Sequence, residues 1–347
     1  MTITSPKIDN PRTARTLRAL AGAWSWLFLI FILIFFEVWA RIETGNTFLF
    51  RIYNVQSILL ASTQILMLAL GLTFVIISAG IDLSVAFVSG LAAITMAVVV
   101  RALTPSLGDV PAFFLGLVLA IGIALVPGFI NGWLVANLSV PSFIGTLGMY
   151  GIARGAAFLI GGGATVAIRN DVAREFGNGR VFAESMPIPV LTAIIITLVA
   201  HYLLTQTRFG LYTYAMGGNL NAALRAGVNV KQMTIIIFML SALTAAIAGI
   251  FYTARFSAGA ADAGEPILLY SVAAIFIGGA SLSGGSGTVV GTVIGSLIIA
   301  VIQFGLVFIG VPPYWQFVAV GSVIIIAVLI DQFRDRIGVI NAAGVSS

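Results

Sequence analysis

Residues 55–78 read VQSILLASTQILMLALGLTFVIIS, an uncharged run long enough to cross a bilayer as one helix, for which about 20 apolar residues suffice. Outward from it the same pattern recurs, broken by Gly, Pro and charge, near 24–40, 84–102, 112–126, 140–162, 189–206, 232–254, 267–282, 288–309 and 314–331. The whole chain agrees: 60% of its 347 residues are hydrophobic and 8% are charged, far from the balance of a soluble domain. The expected fold class is all-α, a polytopic transmembrane helical bundle of about ten spans. The domain division is a tail over 1–23, a membrane domain over 24–331 with an inner loop at 207–230, and a second tail over 332–347.

An even number of spans puts both termini on one side, and charge says which. With the amino terminus inside, Lys7, Arg12, Arg15, Arg18, Arg208, Arg225, Lys231, Arg334 and Arg336 gather on inner segments, where basic residues exceed acidic ones. Outer segments carry arginines such as Arg169, Arg174 and Arg180 beside matching acids such as Asp171, Glu175 and Glu184. Both termini are therefore expected in the cytoplasm. A formal net charge of +5 raises the question of nucleic acid, but its placement before the first apolar run and the composition of the whole chain argue for none. The basic head and the run 24–40 lack a small-residue cleavage pattern, and many spans follow, so this is a retained first helix rather than a signal peptide. Trp24, Trp26, Trp39 and Trp315 fall at span ends, where indole rings suit the headgroup layer of membrane lipid. Many of the 38 glycines lie inside apolar runs, which lets helices approach closely.

Two stretches interrupt the membrane pattern. The outer one, Gly161 to Pro189, has mixed charge and is expected to be either a partner surface or a plain flexible loop. The inner one, Thr207 to Val230, is too polar to cross. In it Asn219 suits a helix N-cap, residues 221–226 form helix well, and Gly227 is a natural stop, so the spacing predicts a short surface helix. An ordinary interfacial amphipathic helix is the competing reading.

Asn221-Ala222-Ala223 followed by Gly227 resembles the coupling loop of ABC importer permeases, and Ala215-x-Gly217-x-Asn219-x-x-Ala222-Ala223 is similar to its form in the ribose-type, monosaccharide branch of that binding-protein-dependent family. Residues 79–85, AGIDLSV, resemble another signature of the branch, except that Ala86 stands where the family has glycine. A third likeness is GGASLSGGSGT at 278–288, similar to a glycine-rich hinge between late spans. Together they reach from about Ser57 to Asp331.

The resemblance implies a bacterial inner-membrane permease that carries a monosaccharide or similar polyol. Its implied partners are a separate ABC ATPase subunit holding ATP and Mg, an extracytoplasmic solute-binding protein, and a second permease copy, either identical or a close paralogue. It assigns Gly217, Asn219, Asn221, Ala222, Ala223 and Gly227 to ATPase coupling. Gly278, Gly279, Gly284, Gly285 and Gly287 would form the hinge. Asp82 can cap the helix that follows it or contact the solute. A phosphate-cradling role for the glycines fails, because no Gly-Lys-Ser/Thr follows and the only lysines are Lys7 and Lys231.

Polar groups inside spans are the candidates for the translocation pathway, since a charge at the bilayer centre costs about 2.5–3.5 kcal/mol on insertion scales. Arg154, mid-span, can pair with a carboxylate, bind carbonyls or face the pathway. Gln64, Asn131 and Gln303 can join helices or line a polar route. Glu37, near the outer end of the first span, can snorkel. No catalytic residue, metal site or bound cofactor is expected: there is no cysteine, and the single histidine, His201, has no partner of its kind in sequence. Branched-chain amino-acid permeases belong to the same superfamily and are the alternative for the solute. An ion-coupled secondary transporter is the alternative from another class, weakened by the shortage of intramembrane carboxylates.

Overall fold

The computed structural model describes residues 11–312, 314–322 and 325–326. The expected end of the last span at 331 and the tail 332–347 lie outside the described residues. The chain is helical almost throughout: α1 Pro11–Thr44, α2 Ile52–Ile77, α3 Val85–Leu107, α4 Asp109–Leu138, α5 Ser142–Gly161, α6 Asp171–Asn178, α7 Ile188–Gln206, α8 Arg208–Gly218, α9 Leu220–Arg225, α10 Val230–Phe256, α11 Glu265–Ile277, α12 Val289–Phe308, and α13 at 314–322.

Eight of these helices are long and apolar enough to cross a membrane, and with α11 and α13 the bundle has the expected about ten spans. The opening stretch 55–78 lies almost wholly in α2, the most enclosed helix, which packs against α10, α11 and α12, while α3 packs against α4, α5 and α10. The peripheral helices α1, α4, α5 and α7 turn residues such as Phe31, Val118, Ile152 and Leu198 outward, the face that lipid covers.

Several boundaries differ from expectation. The helix α1 begins at Pro11, inside the stretch expected as a tail. The span expected to end at 126 continues to Leu138, with Pro127 inside α4. Beyond that proline, Gly128 lies against Phe238, Met239 and Ala242, and Gly132 against Ile235, so the continued helix is held by close contact with α10. The span expected over 267–282 is instead the 13-residue α11, about 20 Å long and too short to cross alone. The segment leading to it makes up the distance. A Cβ on Gly259 would overlap the Ala93 carbonyl, one on Gly90 the Ala261 carbonyl, and one on Gly264 the Ala86 carbonyl. Residues 259–264 thus run down the side of α3 from Ala93 to Ala86, about 10 Å of helix.

Glu37 does not snorkel. It accepts the N–H groups of Phe48 at 2.9 Å and Leu49 at 2.8 Å, the Thr47 hydroxyl at 3.0 Å and Arg41 Nε at 2.6 Å, and so fastens the turn between α1 and α2.

The stretch 161–189 is a built element rather than a plain flexible loop. Strand β1 Val166–Ala167 pairs antiparallel with β4 Ala258–Gly259, and β2 Arg180–Val181 pairs with β3 Met186–Pro187. Between them α6 is capped by Asn170 Oδ1, which accepts from Ala173 N. Asn178 Nδ2 donates to the Arg255 carbonyl at 3.0 Å, which fixes α6 on the end of α10.

Candidate functional site

The three sequence-remote motifs meet at one end of the bundle. Asn219 caps α9 by accepting from Ala222 N at 2.9 Å, and Gly227, at φ +81°, ends it as its N–H reaches the Leu224 carbonyl. The predicted surface helix is therefore present. The polar stretch before it, expected as part of a loop, is the helix α8, capped by the Thr207 hydroxyl. Gly217 opposes helix formation but is needed for contact: a Cβ there would overlap the Ile77 carbonyl and stand 2.6 Å from Gly285 N. That carbonyl accepts the Gly285 N–H at 2.8 Å. Tyr214 of α8 donates its hydroxyl to the Gly287 carbonyl at 2.6 Å.

The 278–288 motif is a turn between α11 and α12. Gly279, Gly284, Gly285 and Gly287 all have positive φ, and Gly284 packs on Ala79, itself left-handed at φ +62°. Gly278 has ordinary helical φ and is bare for a different reason: its backbone touches that of Gly291.

The 78–84 loop is tied in every direction. Asp82 is 2% exposed, and its carboxylate accepts from Ser84 N at 3.0 Å, Ser84 Oγ at 2.6 Å and Ser241 Oγ of α10 at 2.9 Å. The expectation that it caps α3 directly is corrected: Ser84 is the residue before the helix, and Asp82 orders the turn ahead of it while pinning α10. Asn131 of α4 donates to Ser84 Oγ at 2.9 Å. From α5, Ser142 Oγ accepts from Ile81 N at 3.1 Å, and Thr146 Oγ1 accepts from Leu83 N at 3.2 Å. Burial pushes the Asp82 carboxyl above its ordinary range against the pull of these donors.

Between this loop and α9 lies a cavity of about 410 Å³ bordered by Ser78, Gly80, Ser142, Leu220, Leu224 and Lys231. On α9 itself Ala222, Asn221, Leu220 and Leu224 are exposed, but Ala223 is 3% exposed. Its methyl group packs on this chain, so only Ala222 of the alanine pair is open to another protein.

The polar residues expected to line a pathway are not brought together. Asn131 belongs to the Asp82 network. Gln64 on α2 and Gln303 on α12 lie on helices that pack against each other, and the Nε2 of each is buried without a partner. Of the four, Arg154 alone stands on an open face, that of α5. His201 Nδ1 is also unpartnered, and among the described residues no group of acids and histidines could hold a metal ion. The contacts made by Tyr214, Ser84, Ser241 and Thr146 escaped sequence reading because a lone hydroxyl in an apolar run carries no signal of its partner.

A family model described as "Branched-chain amino acid transport system / permease component" matches residues 54–329. The chain belongs to that permease family. The matched range agrees with the extent of the motif resemblance. The ribose import permease protein RbsC of Escherichia coli K12 is 37% identical over 300 residues, 85% of this chain and 91% of the relative. The Bacillus subtilis protein of the same name is 38% identical over 272 residues, 78% of this chain and 81% of that one. The fructose import permease protein FrcC of Rhizobium meliloti is 36% identical over 271 residues, 76% and 74% of the two chains. No solved structure matches. Family and helices together make this a multi-pass protein of the bacterial cytoplasmic membrane.

Proposed function

We propose that the chain is the permease subunit of an ATP-driven ABC importer and carries a monosaccharide or similar polyol, delivered by an external binding protein. The observation that supports this most is the convergence of α8–α9, the 78–84 loop and the 278–288 turn. A push on α9 is passed through the Gly217–Ile77–Gly285 contact to the α2–α3 and α11–α12 junctions, while the cavity beside α9 leaves room for it to shift as a rigid body. Movement of solute is then a two-state change driven from outside the bundle rather than a chemical step in it. ATP and Mg belong to the partner ATPase, which docks on Gly217 to Gly227 with both termini on the same, cytoplasmic side. A second copy or close paralogue completes the pathway.

The relatives named for ribose and fructose favour a sugar. The family description keeps a branched-chain amino acid as the second reading. An ion-coupled transporter would have no use for an ATPase.

The test is co-purification from the native cell in mild detergent, with Ala222→Glu alongside, because Ala222 is exposed and a charge there leaves the fold intact. A P-loop ATPase that comes with the natural chain and is lost from the variant supports the reading. If no ATPase comes with the natural chain under conditions that keep other ABC complexes whole, the reading fails.

A further inference from the structure

One cluster lies apart from the coupling end, on the open face of α5. Tyr150 and Arg154, one helical turn apart, flank the fully buried ring of Phe87 in the first turn of α3. The Tyr150 ring meets it edge-on at 4.6 Å, and the Arg154 guanidinium stands over it at 5.1 Å and over Phe158 at 5.9 Å. The Tyr150 hydroxyl donates to Glu265 Oε1 at 3.2 Å. Glu265 is the first residue of α11, delivered here by the segment that descends α3 to Ala86. From Ala86 to the far end of α3 at Leu107 is about 30 Å of helix, and Arg154 lies about 18 Å along α5 from Ser142, so the cluster lies at membrane depth on the open face of the bundle.

Neither Arg154 nor Glu265 makes an ion pair among the described residues. Two ionisable groups are thus held within one cluster without neutralising each other directly, on a face where a methyl group added to Gly151, one turn before Arg154, would meet nothing within 4 Å. Against lipid tails each such charge would cost about 2.5–3.5 kcal/mol. The rigid placement over Phe87 and the bare backbone beside it suit a polar occupant instead.

We infer that Tyr150, Arg154 and Glu265 form a contact station for a neutral polyhydroxylated solute on its way through the membrane. The inference rests on the sugar-importer reading. The guanidinium offers donors in a fixed fork, the carboxylate offers acceptors, and the two charges cancel; a sugar hydroxyl both donates and accepts, so vicinal hydroxyls satisfy both groups without a net charge. Phe87 is a positioning residue, since its ring is buried and holds the other two in place.

The experiment uses the complete importer, with its own ATPase and binding protein, reconstituted in liposomes and offered radiolabelled ribose, xylose, fructose, galactose and leucine. Arg154→Gln and Glu265→Gln are expected to lower sugar uptake per ATP hydrolysed about tenfold and to change the ratio of rates among the sugars. Arg154→Lys should recover part of the loss, and Ile152→Ala, on another face of α5, should keep the natural rates. Melting temperatures separate this from a folding defect. Sugar uptake and sugar ratios unchanged in both Gln variants, or uptake that falls only in step with melting temperature, overturn the station while the importer reading stands. If the natural complex carries leucine alone or none of the probes, the sugar reading fails and the station falls with it.

Discussion

Gly217→Ala places one methyl group at the tightest contact of the coupling end. The new Cβ would overlap the Ile77 carbonyl oxygen and lie 2.6 Å from Gly285 N, wedging into the N–H···O bond of 2.8 Å between them. Both neighbours are backbone, so neither can rotate away as a side chain would. Overpacking costs about 1–3 kcal/mol and an interrupted buried backbone bond about 1–3 kcal/mol, against about 1 kcal/mol gained from replacing glycine by alanine in a helix. The net expectation is a loss of about 1–5 kcal/mol. Gly218 is the control, for a Cβ there meets nothing within 4 Å and should bring only the helix gain. Thermal unfolding of the detergent-solubilised chain, followed by fluorescence-detected size exclusion, compares the two. Gly217→Ala should melt below the natural chain and Gly218→Ala at or above it. Equal melting temperatures for the two alanine variants would refute the argument that Gly217 is a contact glycine and with it the described path from α8 to α2.

Two further outcomes follow from buried polar groups. Burial raises the Asp82 carboxyl pKa in the folded chain, so its contribution to stability is fully present below the unfolded value near 3.8 and is lost as pH rises through the folded value; Asp82→Asn, which keeps one of the two accepting oxygens and cannot ionise, should flatten the fall of melting temperature with rising pH, and parallel curves for the two proteins would sink this account. Gln64→Leu removes a buried amide donor that has no partner and should raise stability by about 1–3 kcal/mol in the same melting assay; a drop would mean that the amide is bonded after all.

Much of this protein is legible in the sequence because lipid allows so few solutions. A run such as 55–78 has to be a helix once it lies in a membrane, where every backbone N–H and C=O must find its partner within the segment. The Asn219 cap and the Gly227 stop are equally local, so α9 is readable from its own residues. Pro127 misleads for the same reason: locally it is a helix breaker, and only the close seat of Gly128 and Gly132 on α10 carries the helix through. The short α11 is hidden because the partly apolar stretch 278–282 reads as its continuation, whereas it forms the turn before α12.

By itself the sequence determined the class of fold, most of the crossings, the position of the short helix α9 and the family resemblance, all of which depend on composition or on neighbours within a few residues. Only the tertiary structure decided which face each residue presents. It turned Ala223 inward and Ala222 outward, drew Asn131 into the Asp82 network, left Arg154 on an open face, and set Glu265 beside Tyr150 from 115 residues away. Such pairings depend on how helices distant in the chain pack together, and an apolar run with single polar residues is compatible with many packings until the close glycine contacts select one.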